Sequence, residues 1–545
     1  MDPRMRRGRL VGLSVLVLVG GVLPLSAQSA AAAAAAPMHL DCAKGVILCT
    51  EVHDSEAVFG EDVYVGHDEP SLLFYDDHAG AGNNANYLVR LPKDPPHLPN
   101  QQGTGGTFNF QLHPAIWFGM ALCDNQSAPE FTHAPCTPNS DSNIFDSADP
   151  NDAHYIGKHP GTAFMELQFY PPGWVAWPPG ASCDATKWCV AMAIFSLSQD
   201  QNHGVVNNAD CLARAGIEPA NFAFVTRNGH SHAPADPLLS TAATFTPNPA
   251  TDLFMNSGDQ LIVSQHDTPA GFRVDIVDIS TGQLGSMTAS VANQFGQVVF
   301  DPTASTCTTL PYAFHPMYST SSEHTRVPWA AHGYNVAFSD EIAHFEYCDA
   351  VDAEGGNCIG NNSSDPGGLD GDDAACFSPA SSSRIQIGGC LATDNDFDGV
   401  SYQKVWAGST TPSQDAQFHP QAFQFSSPTF NGLHKYARIA FETDLPRIEA
   451  ADTIDPTLPA CNRTTGANCV NPPPNANFYP IFTTRNTITG CQWQFGGANI
   501  PGTTNTFGGN STVEFGPLLQ LTYPSAAGPV NRFNNFRQVL SSNPC

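Results

Sequence analysis

The chain has 545 residues, with 22 Lys and Arg against 51 Asp and Glu, a formal net charge of −29 at pH 7. So acidic a balance argues against nucleic acid and anionic membrane surfaces as partners, because both are held by basic patches. Short apolar runs, dense turn signals, 46 Gly and 45 Pro point to an all-β chain with long loops and almost no amphipathic helix.

Residues 1–27 read as an export signal. Arg4, Arg6, Arg7 and Arg9 precede an apolar stretch over 10–25, and Leu25-Ser26-Ala27 offers a small-residue cleavage site. An Ala-rich leader fills 28–40. No later stretch approaches the ~20 apolar residues of a spanning helix. The expectation is a secreted protein with no membrane insertion. All 16 cysteines lie beyond the signal, and an even number in an exported chain reads as disulfides. Close spacing suggests local pairs: Cys42 with Cys49, Cys123 with Cys136, Cys183 with Cys189, Cys348 with Cys358, Cys376 with Cys390, and Cys461 with Cys469. Cys211 with Cys307 and Cys491 with Cys545 remain as longer pairs. Connectivity cannot be proved from spacing.

Alternation and buried-type runs predict strands near 57–59, 62–65, 72–75, 87–91, 107–112, 115–123, 163–170, 188–197 and 221–226. This meander or jelly-roll pattern fills a first β-sandwich domain, 41–235. The Pro/Thr/Ala-rich stretch 233–249 reads as a link. A second β-sandwich domain, 250–348, has strands near 260–266, 272–278, 286–290, 297–300, 334–338 and 344–347. An acidic loop region then leads to a C-terminal β segment, 349–545. The fold class expected is all-β, with at least two sandwich or jelly-roll units and disulfide-stapled loops.

The most suggestive stretch is 159–177, HPGTAFMELQFYPPGWVAW. On a strand, Phe164, Glu166, Gln168 and Tyr170 share one face, opposite Ala163, Met165, Leu167 and Phe169. An acid and an amide between aromatics, with Trp174 and Trp177 following, suggest a groove for a sugar chain. A glycosidase needs two carboxylates. Glu166 is the first candidate. Asp68 and Glu69, in the turn after His67, are candidates for its partner, and Asp340 and Glu341 are alternatives. His113 and Trp174 would line the groove with Gln168 and Tyr170. A lyase would use Tyr170 or His113 as base.

Asp394-Asn395-Asp396-Phe397-Asp398-Gly399 has oxygen ligands two apart and a turn glycine, the start of a calcium loop. The twelfth position is Val405 rather than Glu, so this is not an EF-hand, and calcium held by Asp394, Asp396 and Asp398 would be structural. His315, His332 and His344, with Met317, could hold copper. His230 and His232 flank Ser231 in a way that could also serve a metal.

The runs YVGHDEPSLLFY (64–75), NFQLHPAIWFGMALCDNQS (109–127), HPGTAFMELQFYPPGW (159–174), FHPMYSTSSEHTRVPWAAH (314–332) and FSDEIAHFEYC (338–348) resemble a group of large exported proteins of soil bacteria and fungi. That group has no assigned biochemical function. The resemblance implies export and one shared architecture, and it supplies no catalytic residues. The leading expectation is action on an extracellular polysaccharide as hydrolase or lyase. The alternatives are a non-catalytic glycan-binding or surface protein, and a copper-dependent oxidoreductase.

Overall fold

The computed structural model describes residues 205–316 without interruption. It also describes 38–41, 67–68, most of 71–91, 115–127, 162–170, 186–200, 336–343, 423–443, 482–495, 518–523, 530–540 and 542–545, with a few single residues between them. These residues are mostly β. One helix, Ala209–Arg214, is capped by Asn208, whose side chain accepts from the Cys211 amide.

The larger sheet has twelve described strands. Its path runs Met38–Asp41, Leu518–Tyr523, Val530–Leu540, Arg438–Thr443, Ser71–Tyr75, Val336–Ala343, Ala115–Cys123, Thr162–Tyr170, Lys187–Ser196 and Ala220–Phe224. The strand Phe254–Asn256 pairs beside Lys187–Ser196, and His67–Asp68 pairs with the end of Val336–Ala343. The second sheet runs Leu284–Thr288, Arg273–Asp278, Gln260–His266, Asn84–Arg90, Gln424–Ser426, Gly490–Phe495 and Phe482–Thr487. Neighbours are antiparallel except Met38–Asp41, which runs parallel to Leu518–Tyr523. Both sheets draw strands from each of the segments 41–235, 250–348 and 349–545, so these segments do not correspond to separate sheets.

Sequence periodicity decides which strands are covered. Gln260–His266 alternates, with Leu261, Val263 and Gln265 buried and Ile262 41% exposed. That is a strand with one face on the core. Lys187–Ser196 is an unbroken apolar run, buried from Trp188 onward on both faces. One core cluster joins inward residues of the two sheets: Phe74, Phe118, Met165, Leu167, Trp188 and Ile194 from the larger, Tyr87, Val263, Ile276, Phe425 and Trp493 from the second. Each fully buried large side chain contributes about 1.5–3 kcal/mol. A smaller cluster covers the other face of the larger sheet, with Tyr170, Cys189, Ala191, Ala193, Phe195, Phe222 and Phe224.

Four disulfides lie among the described residues: Cys123–Cys136, Cys183–Cys189, Cys211–Cys307 and Cys491–Cys545. These are four of the pairs expected from spacing; the other four fall outside the described residues. Disulfides in this number fit an oxidising compartment. The stretch 233–249 is packed rather than extended: Ala235, Asp236 and Thr244 are buried, and the Asp236 amide donates to the Gln294 carbonyl. His67 and Asp68, read from sequence as a turn, instead form a two-residue strand opposite Ala343 and Ile342.

Candidate functional site

Glu166, Gln168 and Tyr170 share one face of Thr162–Tyr170, as the period of two requires. They form a polar ladder along the strand. Gln168 Nε2 donates to Glu166 Oε2 at 2.5 Å, and Tyr170 Oη donates to Gln168 Oε1 at 2.5 Å. All three are buried. In register, Glu166 lies between the small residues Gly119 and Ala193, and Gln168 lies between Trp117 and Ala191. Burial pushes the Glu166 carboxyl up to about 8, against the lowering effect of the Gln168 hydrogen bond. At neutral pH it is therefore held mainly as the neutral acid.

The partner acids proposed from sequence sit elsewhere along the sheet. Glu166 is opposite Gly119, and Gly119 is opposite Ala337. Asp340 and Glu341 lie opposite Ile116 and Ala115, and Asp68 lies opposite Ile342. Glu341 is thus four residues along its strand from the Glu166 rung, ~13 Å at 3.3 Å per residue. Glu69, His113 and Trp174 are outside the described residues. So are Asp394, Asp396 and Asp398 with their expected calcium, and His332, His344 and Met317 of the expected copper set.

His315 and His232 are engaged with acids. His315 Nδ1 lies 2.8 Å from Asp267 Oδ1. His232 Nδ1 lies 2.8 Å from Asp252 Oδ1, while its Nε2 donates to the Ala243 carbonyl at 2.9 Å. Both ring nitrogens of His232 are therefore committed within the protein. His230 is exposed. Among the described residues no group of three or more His, Cys, Asp or Glu is placed to hold a metal ion.

An open cleft of about 500 Å³ lies on the outer face of the second sheet. It is lined by Asn83, Asn84, Asn86, Ser264, His266, Asp267, Asp275, Asn431 and Gly432. Two rungs across three strands build its floor. Ser264 stands opposite both Asn86 and Asp275, and His266 stands opposite both Asn84 and Arg273. Asp275 is clamped by Arg273, Nε to Oδ2 at 2.8 Å and Nη2 to Oδ1 at 2.7 Å. Asn84 fixes the rim: its Nδ2 donates to the Gly80 carbonyl, and its Oδ1 accepts from the Asn431 amide. Gly432, at φ +93°, completes that turn in a backbone region that favours glycine.

Asn86 uses its Nδ2 on the Thr429 carbonyl, leaving Oδ1 without a partner among the described residues. Ser264 Oγ likewise has none there, and His266 makes only a 3.8 Å approach to Asp275 through Nε2. The rung beyond is apolar: Ile262 stands opposite Leu88 and Val277, and Val277 opposite Leu284, which is 60% exposed. The cleft thus offers neutral donors and acceptors beside an aliphatic shelf. Sequence reading missed it because 80–86 reads as a turn, and the alternation of 260–266 marks a wet face without showing which strands flank it.

No family model matches the chain, no curated protein matches it, and no solved structure matches it.

Proposed function

We propose that the protein is a secreted, two-sheet β-sandwich that binds a neutral extracellular glycan in the cleft over Asn86, Ser264 and His266. The observation that carries this reading is the set of uncommitted polar groups there: Asn86 Oδ1, Ser264 Oγ and the His266 ring, held on adjacent strands. Sugar hydroxyls both donate and accept, so they suit such neutral groups. The C–H face of a sugar ring suits the shelf of Leu88, Ile262 and Val277. The cleft volume falls within the ~300–1,000 Å³ of small-ligand sites, but its lining is polar, which favours a hydrophilic ligand. Both carboxylates already have partners, Asp275 the Arg273 guanidinium and Asp267 the His315 ring, which disfavours a cationic ligand.

A second reading is supported by one observation. The raised carboxyl of Glu166 has the property of a general acid in a polysaccharide hydrolase. Against it stands the burial of Glu166, Gln168 and Tyr170 together.

The test uses the purified full chain on a panel of neutral and acidic polysaccharides, with binding and release of new sugar ends measured together. Ser264→Ala, Asn86→Ala and Glu166→Gln variants run alongside. Binding without cleavage, weakened at least several-fold by the two cleft variants and unchanged in Glu166→Gln, is the expected result. Cleavage abolished by Glu166→Gln would replace the binding reading with the catalytic one. Glycan binding indifferent to both cleft variants would remove the cleft from consideration.

A further inference from the structure

At the edge of the larger sheet, Lys187 begins the strand Lys187–Ser196, and Asn256 ends the strand Phe254–Asn256. The two residues face each other in antiparallel register. The Lys187 Nζ group contacts the Asn256 carboxamide at Oδ1. On the other side of that carboxamide is Asp259, three residues on at the end of the turn Asn256-Ser257-Gly258-Asp259. Asp259 Oδ2 accepts from Asn256 Nδ2 at 2.9 Å and from the Asn256 backbone amide at 2.6 Å. Asp259 is buried, and the charge of the fully buried Asp278 acts on it. Asp278 accepts from the amides of Ser280 and Thr281 and from the Thr281 hydroxyl.

A primary amine, a carboxamide and a carboxyl in line are the reactants and acid of an amide exchange. We propose that Lys187 and Asn256 become joined by an intramolecular isopeptide bond, with Asp259 as the proton donor to the leaving group. In its unprotonated form the Lys187 amine attacks Asn256 Cγ. The Nζ–Cγ bond forms and the Cγ–Nδ2 bond breaks. Asp259 gives its proton to Nδ2, which leaves as ammonia, and takes up the proton lost by Nζ. Atoms and charge balance with no oxidant or cofactor.

Two features support this chemistry beyond the contacts. Burial, together with the neighbouring Asp278 charge, raises the Asp259 carboxyl above its ordinary range. That shift favours the protonated form, the form that can serve the leaving nitrogen. The fold also holds amine and carboxamide in contact across a strand pair, which replaces a bimolecular encounter by an intramolecular one. The product would be a covalent tie between residues 69 apart in sequence, fastening Phe254–Asn256 to the strand Lys187–Ser196.

The experiment is the mass of the purified full chain, reduced and denatured, followed by peptide mapping. The expected result is a chain lighter by one ammonia, with the Lys187 and Asn256 peptides recovered as one branched species. Lys187→Arg keeps the charge but cannot form the bond, and should restore both peptides as separate, full-mass species. Asp259→Asn should leave most chains unlinked. Separate, unmodified Lys187 and Asn256 peptides from the parent chain would overturn the proposal. An ammonia loss that persists in Lys187→Arg would also overturn it, because the loss would then arise at Asn256 alone. Full linkage in Asp259→Asn would remove Asp259 as the acid. The parent measurement stands even if a variant fails to fold.

Discussion

Gln168 donates its side-chain amide to Glu166, and the same carboxamide accepts from Tyr170. The Glu166 carboxyl, pushed up to about 8 by burial, keeps its proton in the folded chain at pH values where an ordinary Glu near 4.5 has lost it. Between about 4.5 and 8 the folded state therefore binds more protons than the unfolded state. Stability from this group is full below pH 4.5 and falls as pH rises through 8, by at most about 1.4 kcal/mol per unit. Glu166→Gln removes the titration and keeps an amide in the ladder. Thermal melts at pH 5 and pH 8 should show the parent losing more stability than the variant over that interval. Equal losses in the two proteins would contradict the assignment.

Gly119 lies under the Trp117–Phe164 edge contact, whose centroids are 5.5 Å apart. A Cβ there would stand 2.4 Å from Phe164 Cζ and 2.8 Å from Trp117 Cζ3. Gly119→Ala should destabilise by about 1–3 kcal/mol through overpacking. The same change in a Phe164→Leu background should cost less, because the ring tip is gone. Additive costs in a denaturation cycle would show that the crowding is elsewhere.

The strands that could be read from sequence are those whose side chains carry their own signal. Thr162–Tyr170 alternates, while Ala115–Cys123 and Lys187–Ser196 are long apolar runs, and all three form where expected. Phe254–Asn256, with three residues, has no periodicity to read, because its strand character comes from pairing with Lys187, Trp188 and Cys189. Strand order is also invisible locally. Nothing near Asn84 indicates that His266 and Asn431 will be its neighbours, so the cleft could not be assembled from motifs. Glu166 was legible as an unusual strand acid. Its enclosure was not, because that depends on Ala191, Ala193 and Phe222 of other strands.

The acidic run Asp394, Asp396 and Asp398 carries a separate expectation about metal. If calcium is held there as a structural staple, chelation should lower the melting temperature of the full chain while leaving its far-ultraviolet spectrum at low temperature unchanged. Added calcium should reverse the shift, and Asp396→Ala should be insensitive to both. A melting temperature indifferent to chelator would rule out a stabilising calcium.

Asp124 has no exposed surface, and no sequence motif marks it. It follows Cys123 at the end of its strand and ties three elements together. Ser196 Oγ donates to Oδ2 at 2.5 Å, and Gln297 Nε2 donates to Oδ1 at 3.0 Å. The amides of Gln126 and Ser127 donate to Oδ1 at 2.9 and 3.2 Å. Burial raises its carboxyl against the lowering effect of these bonds. Asp124→Ala removes the acceptor of four donors. The buried Ser196 hydroxyl and Ser127 amide lose it outright, while Gln297 Nε2 keeps a 3.3 Å bond to Asn125 Oδ1. Each buried donor left unpaired costs about 1–3 kcal/mol. Even with partial relaxation, unfolding stability should fall by on the order of 3 kcal/mol or more. Asp124→Asn retains one oxygen and most of the shape, so it should lose clearly less. A Ser196→Ala cycle with Asp124→Asn should show coupling, because the two side chains share one hydrogen bond. Denaturant unfolding of the parent, Asp124→Ala and the three variants of the cycle measures all of these differences. Similar small losses for Asp124→Ala and Asp124→Asn, with no coupling to Ser196, would mean that the buried carboxylate does not hold these strands together.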